Sequence, residues 1–189
     1  MIHLRLPGEP QLEQLHQECR RSSFSYPEVG ATAGALPSGY NIDRSSTVLG
    51  QGREVFELAR QALRNWENFR LSWVRPFPQA APATGVQVAV VARVVGLWWV
   101  NVSRVIDVID EPDRYAFTYG TLSVHAETGE ERFQVRRDPD TDVVEYDILA
   151  FSRPRHILAR LAYPLSRAMQ HRFARESLAA LRASVGTGM

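Results

Sequence analysis

Between Val86 and Phe151 the chain offers five strand-like runs in succession, and the breaks between them are too short to hold a helix. The runs are Val86–Val95, Trp98–Val108, Tyr115–Thr121, Glu130–Arg137 and Val143–Phe151. They are separated by Gly96, by Glu111-Pro-Asp113, by the His125–Gly129 segment and by Asp138-Pro-Asp-Thr-Asp142. Parallel neighbours need a crossover of a dozen or more residues, so these hairpin-length breaks predict an antiparallel sheet. Such a sheet has a face to cover. Residues 156–185 predict a long helix, with Pro164 as a kink or a short leading turn, and that helix can cover it. A curved sheet wrapped around one helix often leaves a cavity lined by alternate strand residues.

Upstream, residues 10–22 predict a short helix carrying Leu12 and Leu15, and residues 23–40, rich in Ser, Gly, Pro and Ala, an ordered arm. Ile42–Leu49 reads as a first strand, punctuated by Gly50-Gln-Gly52. In residues 53–66, Val55, Phe56, Ala59, Ala62, Leu63 and Trp66 fall on one face of a 3.6-residue period. Residues 76–85 hold three prolines and a glycine and read as a loop. The organisation is an N-terminal helix and arm over residues 1–40, then a single α+β domain over residues 41–186.

Composition narrows the chemistry. The 22 basic residues are all arginine, which excludes Schiff-base and phosphate-loop lysine mechanisms. A net charge of +1 gives no global field for nucleic acid or a membrane surface. Cys19 is the one cysteine, so no internal disulfide or four-cysteine zinc site forms. The apolar runs are broken too early for a membrane span, and the N-terminus lacks an apolar signal core. A cytoplasmic setting with no cofactor is the expectation, and a homo-oligomer is left open. Asp138-x-Asp140-x-Asp142 imitates the start of a calcium loop, but Val143 and Leu149 stand where Gly and Glu are needed. A hairpin turn is expected there. His16 and Cys19 form a lone pair without further metal ligands.

Strand alternation selects the charges that point inward. Val100, Val102, Arg104, Ile106 and Val108 are apolar except for Arg104; Glu131, Phe133 and Val135 are apolar except for Glu131. Glu130, Arg132, Gln134 and Arg136 read as solvent-facing. An inward arginine and an inward carboxylate either pair with each other at a sheet end or anchor a polar ligand group. On the C-terminal helix, Leu158, Leu161, Ala162, Leu165, Met169, Phe173, Ala180 and Leu181 cluster on one side with Glu176, and Arg160, Arg167, His171, Arg175 and Arg182 lie opposite. Tyr119, Tyr146 and Ser152 offer hydroxyls. His125 beside Glu127 offers a general base, though no Gly-x-Ser-x-Gly motif accompanies it. Trp98 and Trp99, adjacent on a strand, must point to opposite faces.

Five segments together resemble the bacterial and plant family called domain of unknown function 1990. They are Tyr26-Pro-Glu-Val-Gly-Ala-Thr32; Tyr40-Asn-Ile-Asp-Arg44 with Gly50-Gln-Gly52 and the helix after it; Arg104-Val-Ile-Asp-Val-Ile-Asp-Glu111; Tyr119–Phe133; and Tyr146-Asp-Ile-Leu-Ala-Phe-Ser-Arg-Pro154, followed by Tyr163-Pro164 and Arg172-Phe173-Ala174-Arg175-Glu176-Ser177. Where the family commonly shows Pro-Gly-His before Gly-Glu-Glu-Arg-Phe, this chain has Ser123-Val124-His125, which implies an altered turn. The resemblance implies a helix-grip fold like the START and Bet v 1-like proteins and carries no established activity. The expectation is a small, largely apolar or amphipathic ligand held between sheet and C-terminal helix. Arg104 and Glu131 would orient it, and Glu176, Tyr119 and Tyr146 would line the site. Two alternatives stand beside this one. A hydrolase or cyclase-like enzyme would use His125 or Glu131 as general base. An interaction module would use Trp98 or Trp99 and the arginine stripe.

Overall fold

The computed structural model describes residues 1–77, 80–125, 127–155 and 163–186. The strand-rich middle of the chain forms one antiparallel sheet. Its strands are β1 (Ile2–His3), β2 (Asn41–Gln51), β3 (Val74–Phe77), β4 (Gln87–Val94), β5 (Leu97–Glu111), β6 (Arg114–Thr121), β7 (Glu127–Arg137) and β8 (Val143–Pro154). The helices are α1 (Glu9–Cys19), α2 (Arg53–Arg64) and α3 (Tyr163–Gly186). Strands β3 to β8 run as a meander, β2 closes the far edge beside β8, and β1 pairs the start of β5. This is a helix-grip arrangement: a curved antiparallel sheet with a long C-terminal helix.

The inner face of the sheet packs on α2, on the turn Glu67–Phe69 and on α3. Helix α2 forms where the period predicts, and Trp66, at φ 59, ends it. Phe56 and Leu63 are both 0% exposed, and such burial is worth roughly 1.5–3 kcal/mol for each side chain. The outer face carries a second core, in which Leu12, Leu15 and Cys19 of α1 meet Ala89, Val91, Val100, Val102 and Leu122. Phe24, Tyr26 and Thr32 of the arm also meet the outer face, farther along the sheet, around Gly120 and Glu130.

Three expectations change here. Pro76 belongs to strand β3 rather than to a loop; β3 is an edge strand, where a missing N–H is tolerated. A bulge between Val105 and Asp107 adds a residue to β5, so alternation counted from Val100 to Val108 crosses from one face to the other. Val100, Val102 and Arg104 therefore face outward, whereas Val105 and Val108 join the inner core. On α3 the buried residues are Ser177, Leu181 and Val185, with Met169, Phe173, Ala174 and Leu178 packed beside them. Leu165 is 43% exposed. The expected positions Leu158, Leu161, Ala162 and Arg160 lie outside the described residues.

The Asp138–Asp142 segment is a hairpin turn, as read. Asp138 accepts from the backbone of Asp140 and Thr141, and Asp142 takes φ 61. Among the described residues no helix is long and apolar enough to cross a membrane.

Candidate functional site

Register places the predicted site residues. Tyr119 stands opposite Glu131 on one side and Val105 on the other, so all three share the inner face. Arg104 stands opposite Gly120, which pairs Glu130, so these share the outer face. Arg104 and Glu131 therefore do not face each other, and the expected pair does not form. Instead the Arg104 guanidinium donates to the carbonyls of Cys19 at 3.3 Å and Arg20 at 3.1 Å and lies over the Phe24 ring. It caps the C-terminal end of α1, where the helix dipole favours a cation.

Glu130 and Arg132 are not solvent-facing either. Glu130 is 3% exposed and accepts from Tyr26 Oη at 2.9 Å, Gly30 N at 2.7 Å, Thr32 N at 2.9 Å and Thr32 Oγ1 at 2.5 Å. Arg132 donates to the Thr32 carbonyl and pairs Asp147 at 3.2 Å. The segment Tyr26–Thr32 is thus pinned to the outer face by a carboxylate whose oxygens are fully used. Gly120 makes room for this: a Cβ there would lie 2.1 Å from Tyr26 Oη.

On the inner face the Tyr119 hydroxyl donates to Glu131 at 2.7 Å. Glu131 lies deep among protein atoms yet keeps some accessible surface. Burial pushes its carboxyl up to about 7; the Glu127 and Asp43 carboxylates push the same way, and the Tyr119 hydrogen bond opposes them. Burial likewise raises Tyr119 well above its ordinary value. Tyr146, 0% exposed, receives the Asn68 amide at 3.1 Å and lies 3.0 Å from Ser177 Oγ. Phe69, Phe117, Phe133 and Phe173 form an aromatic wall beside these groups, with ring centroids 5.0 Å apart for Phe69–Phe173 and for Phe117–Phe133.

The first half of α3 meets the sheet through polar contacts. Arg167 pairs Asp43 of β2. Ser166 and Gln170 both donate to Glu127, and Gln170 also reaches Ser152 at 3.2 Å. Arg167 therefore turns toward the sheet, away from the expected arginine stripe. Glu176 does not join Tyr119 and Glu131. It accepts from the Trp73 indole at 2.6 Å and from Arg172 at 2.7 Å, which holds its carboxyl below the ordinary value against the effect of burial. It clamps α3 to the segment before β3.

His125 bonds the backbone of Glu127 through Nδ1 at 3.1 Å rather than the Glu127 carboxylate. Burial pulls it down to about 4, so the ring is neutral at pH 7. Trp98 packs on the outer core, and Trp99 takes the opposite face. Among the described residues, no group of three or more His, Cys, Asp and Glu side chains is placed to hold a metal ion. Two surface hollows, about 140 Å³ beside Met1 and Leu12 and about 200 Å³ beside Asp138 and Val143, lie away from Glu131 and are lined by none of these inner groups.

Comparison with known proteins agrees with the resemblance carried by the five segments. A model of the family described as "Domain of unknown function (DUF1990)" matches residues 25–180. A "UPF0548 protein" of Deinococcus radiodurans is 36% identical over 188 residues, spanning 93% of this chain and 94% of its own. A "UPF0548 protein" of Dictyostelium discoideum is 31% identical over 209 residues, spanning 99% of this chain and 97% of its own. Among solved structures, a hypothetical protein from Helicobacter pylori has a TM-score of 0.54 at 13% identity and covers 85% of this chain and 95% of its own. A START superfamily protein from Mycobacterium smegmatis has a TM-score of 0.53 at 11% identity and covers 80% of this chain and 100% of its own. At such identities the shared property is the fold.

Proposed function

The chain belongs to the DUF1990 family, and from that premise we propose that it binds a small, largely apolar ligand between the inner face of the sheet and α3. One observation carries the reading. Glu131, hydrogen-bonded by Tyr119, keeps accessible surface beside an aromatic wall, although a carboxyl enclosed in this way is costly to keep ionised. Phe173, the partly exposed ring at the edge of that wall, would take the apolar body of the ligand, and the carboxyl would meet its polar group. Tyr146 would contribute through the Asn68–Tyr146–Ser177 chain of hydrogen bonds. Arg104 and Glu176 have other duties and are not assigned to the site. Native mass spectrometry of freshly purified protein tests the reading. A co-purifying small molecule, retained by the wild type and depleted in Glu131→Gln, is the expected result. Bare protein that also binds no apolar probe would overturn it.

A second reading rests on the same carboxyl. A group held near pH 7 suits general-base chemistry, and Glu131 rather than the backbone-committed His125 would be that base. It would show as a turnover rising through pH 7 and abolished in Glu131→Gln.

A further inference from the structure

On β5, Trp99, Asn101, Ser103 and Val105 alternate onto the inner face, opposite Ala92, Val90, Val88 and Tyr119 of the neighbouring strands. Val88 and Ala92 belong to the inner core, which settles the orientation. Three atoms in this row are buried without any hydrogen-bond partner: Trp99 Nε1, Asn101 Oδ1 and Ser103 Oγ. Ser103 is 1% exposed. Buried polar atoms are nearly always satisfied, and leaving one unpaired is costly. Three in sequence along one strand face make a pattern rather than a single defect. The contrast within the chain is direct, because the Trp66 and Trp73 indoles do donate, to Ala80 O at 2.8 Å and to Glu176 at 2.6 Å. Ser103 is also a diagonal neighbour of Tyr119, since Val105, two residues on, pairs Tyr119 directly. Such neighbours lie about 7–8 Å apart. The row thus continues the Tyr119–Glu131 contact across the sheet.

We infer that Trp99, Asn101 and Ser103 are a recognition row for uncharged oxygens of the ligand, carbonyl or hydroxyl groups spaced along an otherwise apolar body. This deepens the ligand-binding reading and rests on it. The indole N–H can only donate, so the ligand must offer an acceptor; the hydroxyl and the amide can donate or accept. No cationic side chain joins this row, and Glu131 lies next along it, so a ligand carboxylate would be disfavoured.

Matched probes of two sizes test the inference: acetophenone and 2-acetylnaphthalene, which carry a carbonyl; ethylbenzene and 2-ethylnaphthalene, which do not; and benzoate and 2-naphthoate. Binding is measured by calorimetry and by the indole N–H signals of the ¹⁵N-labelled protein, with Trp99 assigned through Trp99→Phe. The ketones are expected to bind about tenfold tighter than the hydrocarbons and the carboxylates, and to shift the Trp99 indole signal. Trp99→Phe should erase the preference for these one-carbonyl probes, and Ser103→Ala should leave the melting temperature unlowered, because it removes an unpaired hydroxyl. Equal binding of ketone and hydrocarbon with an unmoved Trp99 signal would sink the recognition row and leave the ligand-binding reading standing. Binding of none of the probes, with nothing co-purifying, would end both. A Ser103→Ala protein that melts well below the wild type would mark the hydroxyl as structural and overturn the inference.

Discussion

Replacing Glu131 by Gln keeps an acceptor for the Tyr119 hydroxyl while removing a charge that the site disfavours. The carboxyl titrates at about 7 in the folded chain against an ordinary 4.5. The folded state therefore binds more protons than the unfolded state between those values. Stability falls as pH rises through that window, and the full penalty is present above about 7. A shift of that size corresponds to about 3 kcal/mol at most. Urea unfolding of wild type and Glu131→Gln at pH 4.5, 6, 7 and 8.5 isolates the effect, because every other titration cancels in the difference. At pH 8.5 the variant should be the more stable by about 2–3 kcal/mol relative to its standing at pH 4.5. Two stability curves running parallel from pH 4.5 to 8.5 would refute the claim that Glu131 is disfavoured as an anion.

His125 acts in the opposite direction. Its folded value of about 4 lies below the ordinary 6.5, so the unfolded state binds more protons between the two. Stability is then lost as pH falls below about 6.5. Between about 4.5 and 6.5 the two effects oppose each other, Glu131 costing stability as pH rises and His125 as it falls. The His125→Gln variant should retain more of its stability at pH 4.5 than the wild type does.

Two further substitutions separate structure from site. Glu130→Ala strands four donors of the arm in a buried setting and should lower stability by about 3–5 kcal/mol, with residues 23–40 becoming the first point of proteolysis. An unchanged urea midpoint would contradict the outer-face lock. Arg104→Leu should lower stability by only about 1 kcal/mol, through the end of α1, and leave probe affinity unchanged within twofold; a large loss of affinity would return Arg104 to the site.

The sheet, its antiparallel order and its helical cover were legible because hairpin-length breaks and a 3.6-residue period are local signals. What misled was β5. Its outer face is buried under α1 and its inner face lies in the main core, so both sets of alternating residues are apolar over part of their length. Alternation identifies a face only when the other face is wet. The bulge left a single trace, the consecutive apolar pair Val105-Ile106, which reads equally well as an ordinary buried run. Arg104 was carried inward by that count, although its true partners are two backbone carbonyls that no sequence pattern announces.

The same reasoning explains why the polar contacts of α3 stayed hidden. Ser166, Gln170 and Ser177 face the sheet because the sheet opposes them with Glu127, Ser152 and Tyr146. A helical projection ranks such residues as outward, since it assumes an apolar cover. A polar residue on a covered face has two ways to be tolerated: the cover supplies its partner, or something absent from the chain does. Glu130 shows the first, with its donors supplied by Tyr26, Gly30 and Thr32. Ser103 lies on an equally covered position and has no such donor, and on physical grounds that difference, rather than the charge of either residue, distinguishes a fastening from a binding surface.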